Sequence, residues 1–179
     1  MVAHTLSLDI NYNGNRAKPE FSFISKGAGS LELKRTRIAV EALSADYLLL
    51  VDSDMIFPPN ALVRLMTHNV PMVAANYRTR HGRGRSAAFS EANELVEPKA
   101  SGLESVAAVG LGFCLLKPPI LANVPKPWFV TEIGDEGELV NGEDVHFCNQ
   151  VRSAGIPIYI DHALSREVGH IAERVLKLE

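Results

Sequence analysis

The hydrophobic pattern of the chain is strongest where an unbroken apolar run meets an acidic motif. Residues 47–51 (YLLLV) lead directly into Asp52-Ser53-Asp54, and Pro58-Pro59 ends the extended segment. Such a run is typical of a strand buried on both faces, as in a parallel sheet covered by helices. If strand geometry continues, Asp52 and Asp54 leave the backbone on the same side. The pattern therefore predicts two carboxylates at a strand end. The alternative is that both acids close a turn.

The rest of the chain repeats an alternation of strands and helices. Helical spacing and end signals predict helices over 31–43, 60–68, 118–121, 145–154 and 171–178, and short apolar runs predict strands over 21–25, 70–75, 106–109, 113–116 and 156–160. This order indicates βαβ units, so we predict one α/β domain over residues 1–179 with a mostly parallel central sheet. The regular pattern stops over 76–104, where we expect a long loop of the kind that is often functional or mobile.

Composition and charge exclude several classes of protein. The chain has 179 residues, 46% of them hydrophobic and 22% charged, which suits a globular domain with a core. A net charge of −3 gives no electrostatic basis for broad nucleic-acid binding. The longest apolar segment, 106–116, is too short to span a bilayer, and no signal peptide is recognisable. We therefore expect a cytoplasmic protein without a transmembrane segment, in which Cys114 and Cys148 are buried free thiols rather than a disulfide.

Four short motifs follow one another along the chain and together indicate a function. They are the apolar strand into Asp52-Ser53-Asp54, then Gly110-Leu111-Gly112, then Gly142-Glu143-Asp144 at a helix start, and finally Gly169-His170. In this order, over roughly residues 21–170, they resemble the GT-A fold glycosyltransferases, specifically the large inverting family two. The resemblance implies a GT-A-like sandwich and a hexosyltransferase-type reaction. A sugar would pass with inversion from a UDP- or GDP-sugar to a glycan or other hydroxyl acceptor, with bound Mn²⁺ or Mg²⁺.

The resemblance also implies a missing edge. The family begins with a strand whose end contacts the nucleoside base, whereas here Met1 falls about where the following helix should be. The chain thus resembles an N-terminally shortened version. An unpaired strand edge invites pairing, so a partner chain or a second copy could cover it.

Roles for the acidic and histidine residues follow from the resemblance. Asp54 is the expected direct metal ligand and His170 a second one, since hard cations prefer carboxylate oxygen and Mn²⁺ also accepts imidazole. Asp52 would bind the metal through water or hold the donor together with Ser53. Asp144 is the expected general base, which takes the proton of the acceptor hydroxyl. Glu143 would position the acceptor; helix capping is the alternative for both of these acids.

Further residues are expected around the sugars and the diphosphate. Gly110 and Gly112 would let the backbone approach the sugar, with a β-bulge or hairpin turn as the alternative. Arg37, on the helix before the acidic motif, and Arg78, after the strand over 70–75, are expected to face the donor. Trp128 either forms an apolar floor for the acceptor sugar or belongs to the core.

Two other functions fit part of this pattern. A phosphohydrolase of the haloacid-dehalogenase kind also places two Asp residues after an apolar strand, but normally near the N-terminus and with Thr or Val after the second one. Here Met55 follows. A non-catalytic nucleotide- or sugar-binding module would use the same binding residues without turnover. The ordered motifs favour the metal-dependent glycosyltransferase.

Overall fold

The secondary structure comes from a computed structural model, which describes residues 10–12, 15–17, 20–79 and 84–171. In chain order the elements are β1 (Ile10–Tyr12), β2 (Asn15–Ala17), α1 (Leu31–Glu41), β3 (Leu48–Val51), β4 (Met55–Ile56), α2 (Ala61–Thr67), β5 (Met72–Ala74), β6 (Ala88–Phe89), β7 (Leu103–Val106), β8 (Ala108–Val109), β9 (Phe113–Leu116), a 3-10 helix (Pro118–Ala122), β10 (Glu132–Ile133), β11 (Leu139–Asn141), α3 (Glu143–Ser153), β12 (Ile158–Asp161), α4 (His162–Ser165) and β13 (Gly169–His170).

The central sheet has five strands in the order β3-β9-β5-β12-β7. β9 is antiparallel to both β3 and β5, β12 is parallel to β5, and β7 is antiparallel to β12. The prediction of a mostly parallel sheet is therefore wrong. After β5 the chain forms β6, β7 and β8. The next strand, β9, lies between β3 and β5 and is antiparallel to both. Antiparallel neighbours of this kind need no crossover helix between them.

The acidic motif follows an edge strand of this sheet. Leu48 and Leu50 of β3 are buried on one face and Leu49 packs against the other, but Val51 is 42% exposed. The predicted strand is confirmed, whereas its burial on both faces holds only in part. The reason is its place at the end of the strand order, where it pairs with β9 alone among the described strands.

The buried apolar side chains form two clusters. One involves α1 and α3, and the other involves α2 and α4. The first contains Ala39 of α1 with Phe147, Cys148 and Val151 of α3, and the second contains Leu65 of α2. Both cysteines are buried and free, as predicted. Burial raises the pKa of both thiols, that of Cys148 to about 12. A thiol that stays protonated is a poor nucleophile, so we interpret both cysteines as core residues without a catalytic role.

Some predicted elements differ from the structure. Residues 21–25 form no strand, and Phe23 among them is 68% exposed, so the alternation of Phe and Ser there does not pair with a neighbour. From residue 172 onwards the predicted terminal helix lies outside the described residues. The helices over 31–43, 60–68 and 145–154 are confirmed as α1, α2 and α3, with shifted ends. None of the helices in the described part of the chain is long and apolar enough to cross a membrane.

A buried polar network anchors the segment between β5 and β7. Asn76 is 1% exposed, and its side-chain nitrogen donates to Ser86 Oγ at 2.9 Å and to the Val96 carbonyl at 2.7 Å. Its side-chain oxygen accepts from the Ala87 N–H at 3.0 Å, and its own N–H donates to Ser165 Oγ at 2.8 Å. The described part of the predicted 76–104 loop is thus tied to the end of β5 and to α4.

Candidate functional site

The two aspartates lie in a turn between β3 and β4. The Asp52 N–H donates to the Gly112 carbonyl at 2.9 Å, and the Met55 N–H donates to the Asp52 carbonyl at 3.2 Å, closing the turn. Strand geometry therefore does not continue through the pair, and the turn alternative describes the local backbone. Ser53 at its tip is exposed. As a result the two carboxylates meet different partners, Asp52 facing Arg35 and Asp54 facing His170.

Arg35 joins the acidic turn to the start of α3. Its guanidinium donates to Asp52 Oδ1 at 3.2 Å and makes a short ion pair with Glu143. The residue is only 5% exposed, because it shares the inward face of α1 with Ala39 and Ala42. A planar guanidinium can hold two carboxylates at once. Arg35 thus fixes the third motif of the sequence against the first.

Glu143 and Asp144 open α3 directly after Gly142. Both lie in the first turn of the helix, where the helix dipole favours negative charge. Burial raises the pKa of the Glu143 carboxyl above its ordinary value; the charge of Asp144 adds to this and Arg35 opposes it. Asp144 is partly exposed, and its Oδ1 accepts from the Val145 N–H at 2.8 Å. A partly buried carboxyl with a shifted pKa beside a second carboxylate is a common feature of catalytic sites.

His170 reaches Asp54 through a short pairing of β13 with β4, in which His170 lies opposite Met55. Its Nδ1 lies 3.2 Å from the Arg78 carbonyl, which can only accept, so Nδ1 is the donor. Nε2 is buried without a hydrogen bond to any described residue and lies 3.2 Å from Asp54 Oδ1. A backbone carbonyl on one ring nitrogen fixes the tautomer of metal-binding histidines in the same way.

The donor set around Asp54 suits a hard cation, but the protein supplies only part of it. A carboxylate oxygen and an imidazole nitrogen that point at one another match the preferences of Mn²⁺. Asp52, the third predicted ligand, is engaged by Arg35 instead. Within the described ranges no group of three or more His, Cys, Asp or Glu side chains is arranged to hold a metal ion. Two ligands are a fitting contribution where substrate phosphates and water complete the shell.

Tyr77 packs against the Gly110-Leu111-Gly112 motif and against His170, so it connects the glycine motif with the Asp54–His170 pair. Its hydroxyl accepts from the Gly112 N–H at 3.0 Å, and its ring meets that of His170 edge-on, with centroids 5.4 Å apart. A Cβ at Gly110 would come within 2.4 Å of this hydroxyl, and one at Gly112 within 2.6 Å. Burial raises the pKa of Tyr77, and the charges of Asp52 and Asp144 raise it further. The charges of both acids thus act on this one hydroxyl.

Three other predicted site residues lie in different surroundings. Arg37 is exposed on α1, two residues away from the inward-facing Arg35, and its donor-facing role stays a prediction. Arg78 has an exposed side chain that pairs with Glu97 at 3.1 Å, and its carbonyl is the partner of His170. Trp128 is 2% exposed and donates to the Val124 carbonyl at 3.1 Å, so the core alternative describes it.

The two glycines serve a close approach, but not the predicted one. The space in front of Gly110 and Gly112 holds the Tyr77 hydroxyl, and Asp52 Oδ2 lies 3.0 Å from the Cβ position of Gly112. The glycines therefore let a tyrosine and an acid pack against the turn, where we expected a sugar. Arg35 and Tyr77 are the residues that the sequence reasoning missed. Arg35 is detectable, since it is spaced four and seven residues before Ala39 and Ala42.

Comparison with known proteins gives evidence on the fold. No family model matches the chain, and no curated protein matches it. Among solved structures the chain is similar to A197 from STIV, a viral protein, with a TM-score of 0.57 and 16% sequence identity. The alignment covers 85% of this chain and 81% of that one. At this identity the similarity concerns the fold, and it supports an α/β architecture over most of the chain.

Proposed function

We propose that the chain is a metal-dependent glycosyltransferase with a GT-A-like fold. It would move a sugar from a UDP- or GDP-sugar to an acceptor hydroxyl, with inversion. The observation that carries the proposal is the link from the acidic turn to the start of α3: Arg35 holds Asp52 and Glu143 together, while His170 meets Asp54. Motifs that are far apart in the sequence thus meet around a single turn.

The binding roles fall on Asp54, His170 and Asp52. Asp54 and His170 would hold Mn²⁺ or Mg²⁺. Such an ion acts as a Lewis acid that stabilises negative charge on a leaving nucleoside diphosphate. Asp52 has one carboxylate oxygen on Arg35, which leaves the other to accept a hydrogen bond from a donor hydroxyl.

The proton-transfer role falls on Asp144. Its carboxylate is partly exposed at the start of α3, whereas Glu143 is committed to Arg35. Asp144 would take the proton from the acceptor hydroxyl as the oxygen attacks the anomeric carbon. Glu143 would keep the start of α3 against Asp52 through the shared guanidinium and so fix the position of the base.

Release of nucleoside diphosphate from a panel of UDP- and GDP-sugars, with Mn²⁺ or Mg²⁺, tests this function. We expect Asp54→Ala to abolish metal-dependent binding of the nucleotide. Asp144→Asn should keep that binding and lower turnover by about 10² or more, the usual contribution of a general base. Asp46→Asn, at an exposed aspartate ahead of β3, is the matched control and should leave both unchanged.

Three outcomes would contradict the proposal. Release of nucleoside diphosphate that is unaffected by Asp54→Ala would show that a cation at Asp54 takes no part in the reaction. Metal-dependent UDP binding without release from any donor would identify a binding module instead of an enzyme. Cleavage of a simple aryl phosphate without nucleotide binding would favour a phosphohydrolase.

A further inference from the structure

A cavity lies beside His170, between the described part of residues 76–104 and the chain from α4 to β13. Its volume is about 600 Å³, and its lining includes Tyr77, Arg78, Ser86, Ser165, Arg166 and His170. Ligand pockets of proteins usually measure about 300–1,000 Å³. The cavity is therefore large enough for a small molecule.

The cavity adjoins the proposed active site without including its acids. His170 and Tyr77 line the cavity and pack edge-on against each other, and His170 also meets Asp54. Neither Asp52 nor Asp54 is among the lining residues. A molecule in the cavity would thus lie next to Asp54 and His170, the proposed cation ligands, but would not itself bind that cation.

The wall of the cavity is held in place before any ligand arrives. Ser86 and Ser165 are 4% and 5% exposed, and both bond to Asn76, which is itself buried. A fully bonded buried network of this kind restricts the positions of its side chains. The hydroxyl-bearing wall therefore has a fixed shape.

The charge of the cavity is positive. Arg166 is exposed, and its guanidinium makes no ion pair with the part of the chain that the structure describes. Arg78 donates to the Gly84 carbonyl at 2.7 Å and to Glu97 Oε2 at 3.1 Å. Among the lining residues that the structure describes, Glu97 is the only acid, and it offsets one of the two arginines. The guanidinium fork suits phosphate oxygens.

We propose that this cavity binds a phosphate group through Arg166, assisted by Arg78. Resting on the proposed function, we assign the group to the acceptor, which would be a hydroxyl compound that carries a phosphate ester. The phosphate would lie at the arginines, and the hydroxyl would extend past His170 towards the acidic turn. Glu97 competes with the ligand for Arg78 and so weakens binding.

The test is a titration of the metal-free protein with inorganic phosphate and with glycerol 3-phosphate, followed by amide NMR. We expect saturable shifts at Ser86, Val168 and Gly169. Arg166→Gln should weaken binding at least about tenfold, as expected for loss of a charged hydrogen-bond donor. Glu97→Gln should strengthen it several-fold, a gain that a structural role would not produce. Arg152→Gln, at an arginine that pairs with Glu91 outside the lining, should leave it unchanged.

Absence of saturable shifts, or equal weakening by the Arg166 and Arg152 variants, would overturn the phosphate site. The acceptor assignment is tested by adding UDP with Mn²⁺. Simultaneous binding of glycerol 3-phosphate and UDP supports it, whereas competition between them would place the phosphate of the donor in the cavity and overturn it. If neither UDP nor GDP binds in the presence of Mn²⁺, the proposed function fails, while the metal-free titration still decides whether the cavity binds phosphate.

Discussion

Replacing Arg35 with methionine should lower the free energy of unfolding by about 3 kcal/mol and abolish any sugar transfer. The Arg35 side chain is 6% exposed, and its guanidinium pairs with Asp52 in the acidic turn and with Glu143 at the start of α3. Methionine keeps much of the length and removes the charge, which leaves the partly buried Glu143 carboxylate without a cation. Removal of one partner of a buried ion pair costs about 3–5 kcal/mol, and we take the lower end because the Asp52 side chain is 35% exposed.

This loss should depend on pH in a defined direction. Burial already raises the pKa of Glu143, and Arg35 opposes that rise, so the variant should raise it further. A carboxyl whose pKa is raised in the folded state stabilises the fold below its unfolded pKa, and this stabilisation is lost as the pH rises through its folded pKa. The difference between variant and parent should therefore be smallest below about pH 4, where the Glu143 carboxyl is protonated in the folded and the unfolded chain alike.

Urea denaturation at several pH values measures both effects. Arg37→Met is the matched control, two residues along the same helix on its exposed face, and it should change stability by no more than about 0.5 kcal/mol. Equal losses in the two variants, or an Arg35 loss that is unchanged at acid pH, would contradict the role assigned to the guanidinium.

Gly112→Ala is expected to destabilise the protein by about 1–3 kcal/mol and to impair donor binding. The added Cβ would lie 2.6 Å from the Tyr77 hydroxyl and 3.0 Å from Asp52 Oδ2. Tyr77 is 9% exposed and has little room to move, so the turn or Asp52 must shift. Thermal unfolding and calorimetric UDP titration with Mn²⁺ measure the two losses.

A double-mutant cycle identifies the source of the Gly112 effect. Tyr77→Phe removes the hydroxyl, so the loss in the double variant should be smaller than the sum of the single losses by at least about 0.5 kcal/mol. Gly169→Ala is the control, because apart from its chain neighbours no atom of the described residues lies within 4 Å of its Cβ position, and it belongs to the same site. Strict additivity, or an equally harmful Gly169 substitution, would disprove the packing argument.

Local apolar patterns in the sequence were sufficient to predict most of the core elements. β3, α2, β5, β9 and α3 each carry a run or a helical spacing of apolar residues, and each is present. The mixed sheet could not be predicted in this way. The direction of each strand depends on which strands it pairs with. For β9, which follows a long segment after β5, contacts between distant parts of the chain determine that pairing. Residues 21–25 show the converse, a strand-like pattern without a partner strand.

The candidate site was predicted in part for a similar reason. Motif order identified Asp52, Asp54, Glu143, Asp144 and His170, and the structure brings them into one region. It did not predict that Asp52 and Asp54 diverge, because the pair lies in a turn and not on a strand. It also selected Arg37 in place of Arg35, since an arginine between lysine and threonine gives no local sign of burial. The phase of Ala39 and Ala42 on α1 carries that information.

Line broadening of amide NMR signals by substoichiometric Mn²⁺ in the presence of UDP shows whether one cleft holds both the cation and the base. We predict the strongest broadening at Asp54 and His170, clear broadening at Gly112 and Asp144, and weak broadening at Arg152 near the far end of α3. Broadening at Asp54 that spares Asp144, or broadening that is centred on another part of the chain, would contradict this prediction.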